Sequence, residues 1–146
     1  RGSDELQYCS LGFDLPVGSI TRLQYGLYPE YHTSLDNRDF ISFDAMAEAV
    51  RVYENVLRTI ESNATYRATH VFGMPQLGRR GLYPTLSEAH KANEHIATIT
   101  ALLAFSDGET DLISIAMRHK LSVTLLAELA ERCVAADLMK RIEPVA

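Results

Sequence analysis

The sequence predicts an α/β chain in two parts: short strands and one long helix over residues 1–85, then a small helical module over 86–146. Three observations carry this. Phe43, Met46, Val50, Tyr53, Leu57 and Ile60 step by three and four, one apolar stripe of a helix. Residues 64–85 mix β-branched and aromatic residues with glycine and proline, which reads as short strands or a hairpin. After Ser87 the pattern becomes three short helices, closed by DLMKRIEPV as a strand.

The elements follow in chain order. Residues 1–41 are rich in turn formers, with a short strand expected over Ser19 to Tyr25 around Ile20 and Thr21. The polar stretch YPEYHTSLDN, residues 28–37, is loop chemistry. Ser42 is a good N-cap with Asp44 in the first turn, and the long helix should end near Asn63. A second helix fits Ser87 to Phe105, with Ile96, Ile99 and Leu103 facing inward. SDGE ends it, and Thr110 can cap a short helix carrying Leu112, Ile115 and Ala116. HKL turns, Ser122 caps, and a third helix carries Leu125, Leu129 and Cys133. Three short helices, a capped third one and a β tail suit a winged helix-turn-helix module.

The totals narrow the function. The chain has 146 residues, 47% hydrophobic and 23% charged, which suffices for a core. Its net charge of -5 argues against a protein built to grip phosphate backbones. Cys9 and Cys133 are far apart with no CxxC, so neither a zinc knuckle nor a disulfide framework is indicated. Two free thiols fit a reducing cytoplasm. No apolar run spans a membrane, so a cytoplasmic protein is expected.

Several residues are candidates for chemistry. His32 is one of five histidines and lies in an irregular loop, directly after Tyr31 and four residues before Asp36. Such a histidine can ligate a metal while a nearby carboxylate such as Asp36 holds its second nitrogen. The Tyr31 phenol could then hydrogen-bond a developing oxyanion. The plainer alternative is a surface histidine beside a packed aromatic. Asp4 and Glu5 are adjacent acids, commonly just solvated, though able to anchor a substrate amine or relay a proton. His90 and His95 are five apart on a helix and do not make the i, i+4 zinc pair; both are expected on the surface, as is His119. GRRG reads as a tight basic turn, and His70 has no assigned role.

Taken together, GSDELQYCSLGFDLPVGS, YPEYHTSLDN and PQLGRRGLYPT resemble the bacterial aminopeptidase-like domain proteins, and more distantly the zinc aminopeptidases and glutaminyl cyclases of metallopeptidase clan MH. The resemblance implies the C-terminal part of a three-layer α/β/α zinc-aminopeptidase-like domain over 1–85, followed by a winged helix over 86–146. It implies His32 as the last metal ligand, Tyr31, Asp4 and Glu5 as catalytic, and Asp36 as support for the histidine loop. Glu5 stands where many clan members carry histidine. The cofactor implied is zinc, with its remaining ligands outside this chain, because one histidine cannot hold it. The partners implied are a missing N-terminal half or a second chain, and a peptide-like substrate. A homo-oligomer is compatible with this pattern.

The leading expectation is therefore part of a zinc-dependent hydrolase of aminopeptidase type, cleaving a peptide or peptide-like amide. A catalytically silent scaffold or partner subunit is the alternative. A DNA-binding regulator is the weaker one: residues 87–146 carry nine acids against six Lys and Arg, a net of -3, and the third helix presents Glu128 and Glu131 against Arg132. Nucleic acid is therefore not an expected partner.

Overall fold

The structure is a computed structural model that describes residues 3–83 and 92–143. The helices are α1 (Ser3–Tyr8), α2 (Phe43–Glu61), α3 (Ala92–Phe105), α4 (Leu112–His119) and α5 (Val123–Ala135). The strands are β1 (Thr65–Ala68), β2 (Asp107–Asp111) and β3 (Met139–Ile142). Two compact units divide the chain, Arg1–Val52 and Tyr53–Ala146. Among the described residues no helix is long and apolar enough to cross a membrane.

The second unit holds the core. Its antiparallel sheet has the order β2-β1-β3, so β1 is central. Tyr66 pairs with Arg141 and Arg67 with Lys140 on one side, while Arg67 faces Asp107 on the other. Tyr66, Ile99, Leu102, Leu112, Ile115, Leu126, Leu129, Leu138 and Met139 are buried together. Helices α3, α4 and α5 thus pack on one face of the sheet, the arrangement expected of a winged helix. The expected boundary after residue 85 was drawn on composition. Thr65–Ala68 lies before it, yet forms the middle strand of this sheet.

Local chemistry explains the helix ends. Ser122 caps α5 as expected, its hydroxyl accepting from the Leu125 amide at 3.4 Å. At α4 the cap is Asp111 rather than Thr110: Asp111 Oδ1 accepts from Ser114 N at 2.7 Å. Asn63 completes that cap. Its Nδ2 donates to Asp111 Oδ2 at 3.1 Å, and its Oδ1 accepts from Ile113 N at 3.1 Å. Thr110 instead donates its amide and hydroxyl to Asp107, which turns the chain into β2. A carboxylate accepts two donors better than a hydroxyl can, and that decides the cap.

Other expectations are corrected. The strand over Ser19 to Tyr25 does not form; that stretch is irregular. A hairpin within 64–85 is absent among the described residues, where β1 leads instead into a loop and a 3-10 turn at Gly78–Arg80. On α3 the inward face is His95, Thr98, Ile99, Ala101 and Leu102, with Ile96 and Leu103 half-buried. Because α3 is apolar nearly all round, its periodicity does not choose between adjacent faces. His95 is therefore buried, 7% exposed, and its Nδ1 has no hydrogen-bond partner; the surface placement is overturned. His90 lies outside the described residues.

The first unit differs in kind. It contributes nothing to the buried core. The α2 stripe forms as the periodicity predicts, with Ser42 Oγ accepting from Ala45 N at 3.3 Å. Yet α2, which runs from the first unit into the second, buries no residue: Phe43 is 73% exposed and Leu57 61%.

Asp111→Ala should lower the stability of residues 53–146 by about 1 kcal/mol, the usual cost of a lost N-cap, read from urea unfolding. Hydrogen bonds from Ser114, then from Asn63, hold the Asp111 carboxyl below its ordinary 3.8. Its contribution is thus present above pH 3.8 and lost as pH falls through the lower folded value. The difference between the two proteins should close in acid. A gap that widens below pH 3.8 would refute the cap assignment.

Candidate functional site

The candidate site begins with a loop that is held without regular structure. Thr33 Oγ1 donates to the Glu30 carbonyl at 2.8 Å and accepts from Leu35 N at 3.2 Å. Asn37 donates its side chain to the Ser34 carbonyl at 3.2 Å and accepts from Asp39 N at 2.8 Å. These hydroxyl and amide turns let the backbone change direction at each step.

His32 has φ 58°, in the left-handed region. This costs a residue with a Cβ about 1–2 kcal/mol, and histidine is among the few types enriched there. Its ring stacks on Tyr31, with centroids 4.1 Å apart and planes 17° apart, and the residue is exposed. Tyr31 meets Tyr28 edge-on at 5.8 Å and Tyr25 at 5.9 Å, while Tyr28 stacks on Phe40 at 5.5 Å. An aromatic cluster therefore backs the Tyr31–His32 pair and limits the rotamers of both. Sequence reading missed this cluster, although tyrosines at 25, 28 and 31 were its signal.

The other candidates are placed as follows. Asp4 and Glu5 lie in the first turn of α1, a different element from the histidine loop. The Ser19 hydroxyl donates to the Glu5 carboxylate. Asp36 is exposed and makes no hydrogen bond to His32 among the described residues. Among those residues no three His, Cys, Asp or Glu side chains gather as a metal ion would need. The described residues alone therefore do not make a zinc site. Tyr31 and His32 are the pair that the fold brings together.

The second candidate surface is α5, which in a winged helix would be the one to enter a groove of DNA. Its exposed residues are Thr124, Glu128, Glu131 and Ala135. Glu131 accepts the Tyr66 hydroxyl at 2.6 Å. The basic residues nearby serve the fold. Arg80 donates to the Ala136 carbonyl just past the end of α5, and Arg132 donates to the Gly81 carbonyl at 3.3 Å. The GRRG turn is thus a cap on the C-terminal end of α5, satisfying a carbonyl that the helix leaves open. What remains on the outer face of α5 is acidic, which repels phosphate.

Comparison with known proteins divides the chain after residue 63 rather than after Val52. Residues 1–63 match the family described as a domain of unknown function (DUF4910). Residues 64–141 match the family described as winged helix-turn-helix. A Clostridium acetobutylicum protein, provisionally named a polysaccharide biosynthesis protein with aminopeptidase-like domain, is 34% identical over 141 residues. The match takes in 97% of this chain and 32% of that protein. A crystal structure of a provisionally named peptidase from Clostridium acetobutylicum superposes with a TM-score of 0.80 at 33% identity, covering 97% of this chain and 30% of that one. The chain thus spans about a third of the length of these relatives.

The acidic face of α5 generates an expectation. A low-salt gel shift with mixed duplex DNA should show no complex at concentrations below roughly the 10⁻⁴–10⁻⁶ M of non-specific binding. Salt-sensitive binding well below that range would overturn it.

Proposed function

The chain belongs to the winged helix-turn-helix family through residues 64–141, and from that premise we propose that it works as part of an aminopeptidase-type zinc hydrolase rather than as a DNA reader. The observation that carries the reading is the Tyr31–His32 pair: a histidine on left-handed backbone, stacked on a tyrosine and backed by an aromatic cluster. Strain of this kind collects where a side chain must be presented in one direction. The aminopeptidase-like names of both relatives support the same reading.

In this reading His32 would supply one imidazole nitrogen to a zinc ion, and the other ligands would come from sequence outside this chain. Zinc held there would polarise a scissile carbonyl and acidify a bound water. The remaining chemistry belongs to the chain's own groups. Tyr31, fixed by its neighbours, donates its hydroxyl to the oxygen on which charge develops. Asp36 supports the histidine loop. Asp4 and Glu5 anchor a substrate amine or pass a proton, with the Ser19 hydroxyl orienting Glu5. The substrate is a peptide or peptide-like amide.

The partner in this reading is the rest of a longer polypeptide. The support is energetic. Phe43, Met46, Val50, Leu57 and Ile60 all lie exposed along α2, and Leu11, Phe13 and Leu27 are exposed before it. A patch of that extent is costly in water and marks a surface built for contact. Relatives about three times as long carry sequence enough to cover it. The winged helix then serves docking rather than readout.

Two experiments test this. In the complete protein, His32→Ala should lower both bound zinc and peptidase activity. Tyr31→Phe should keep the zinc while turnover falls by roughly 10²–10³, the effect of one lost oxyanion donor. Unchanged zinc in His32→Ala sinks the metal role. A complete wild-type protein that binds no zinc points instead to a silent scaffold. For the covering surface, hydrogen exchange of α2 should be at least about 100-fold slower in the longer polypeptide than in this chain alone, since global protection needs burial. Equal exchange in both would remove the docking argument.

A further inference from the structure

A groove in the winged-helix unit has no part in the reading above. It encloses about 430 Å³ and is bounded by Arg67 on β1, His70 and Met74 in the loop that follows, Leu103 on α3, and Ser106 and Asp107 at the entry to β2. That volume lies in the range of small-ligand sites, roughly 300–1,000 Å³.

Its polar groups are mostly donors. Arg67 Nε donates to the Asp107 carbonyl at 3.3 Å. The guanidinium lies against Gly108, at φ 89°, where a Cβ would come within 2.4 Å of Nε. Glycine at this position is thus what lets the guanidinium lie flat beside the groove. Lys140 is the cross-strand partner of Arg67, and directly opposed residues share a face. The Arg67 guanidinium lies on the β2 side of that pair, against Gly108. Among the described residues neither Arg67 nor Lys140 forms an ion pair.

The Asp107 carboxylate is held by its own turn. It accepts from Glu109 N at 2.8 Å, Thr110 N at 2.7 Å and Thr110 Oγ1 at 3.0 Å. Beside these groups Ser106 is 3% exposed, and its hydroxyl has no hydrogen-bond partner. A buried hydroxyl left unpaired costs about 1–3 kcal/mol, so a native structure seldom keeps one without a use.

We propose that this groove binds a small molecule bearing an oxyanion, phosphate or carboxylate, with Arg67 as its principal contact. The two free ends of the guanidinium match the paired oxygens of such a group. His70 at the rim and Ser106 in the wall add hydrogen bonds. The apolar lining of Val71, Met74, Pro75 and Leu103 receives the rest of the molecule.

The test is a titration of the 146-residue chain at constant ionic strength, followed by the backbone amide resonances. The probes are inorganic phosphate and succinate, with chloride as the reference. Saturable shifts are expected at Arg67, His70, Ser106 and Asp107 with at least one of the two probes, and which probe binds tighter identifies the source of the oxyanion. Arg67→Gln should weaken binding about tenfold or more, as loss of a charge-assisted bond does. Lys140→Gln, on β3 outside the groove lining, should leave it unchanged. Three outcomes overturn the proposal: shifts spread over all surface lysines and arginines, equal affinity in both variants, or duplex DNA displacing the probes from these residues at lower concentration.

Discussion

Tyr66 is the point on which the second unit turns. It sits on the central strand, 2% exposed, and reaches across the core so that its hydroxyl donates to Glu131 on α5 at 2.6 Å. Burial first, then that hydrogen bond and the charge of Glu131, push the phenol up to about 12, so it stays protonated at any ordinary pH. One side chain thus fixes the distance between the sheet and the third helix. The same contact engages an acid on the face that a DNA-reading winged helix would leave to bases.

The two units solve opposite problems. The winged-helix unit closes its core with side chains from β1, α3, α4, α5 and β3, and it caps its helices with Asn63, Asp111 and Ser122. The first unit orders itself by local means. Short turns held by Thr33 and Asn37, stacked tyrosines and an Arg22–Glu48 ion pair keep the loop in place without a core. The Arg22 guanidinium holds the Glu48 carboxyl below its usual range, yet both are exposed and contribute little. Such a unit can present Tyr31 and His32, but it leaves its apolar helix face in water.

Legibility followed the range of the interactions. Ser42 and Ser122 were readable as caps because a cap is decided within four residues. The apolar stripe of α2 was readable from its spacing, and so was the strand at Met139–Ile142. The cap at Asp111 was missed by one position because Asn63, almost fifty residues away, strengthens the aspartate. His95 was placed on the surface because α3 is apolar on most sides and offers no contrast from which to choose a face. The aromatic backing of His32 was missed because the ring contacts Tyr25–Tyr31 and Tyr28–Phe40 need the loop's actual path.

By itself, the sequence determined the helices with one contrasting face, the serine caps, the shortage of positive charge and the irregular loop carrying Tyr31 and His32. These depend on neighbours within a turn or two, where geometry is set by covalent connectivity. Tertiary structure alone decided that β1 belongs at the centre of the winged-helix sheet, that GRRG caps α5, and that Arg67 and Asp107 line one groove. Each of those joins residues about forty to seventy-seven positions apart. No local propensity encodes such pairings; they exist only once burial of Tyr66, Leu102 and Leu129 has drawn the strands and helices together.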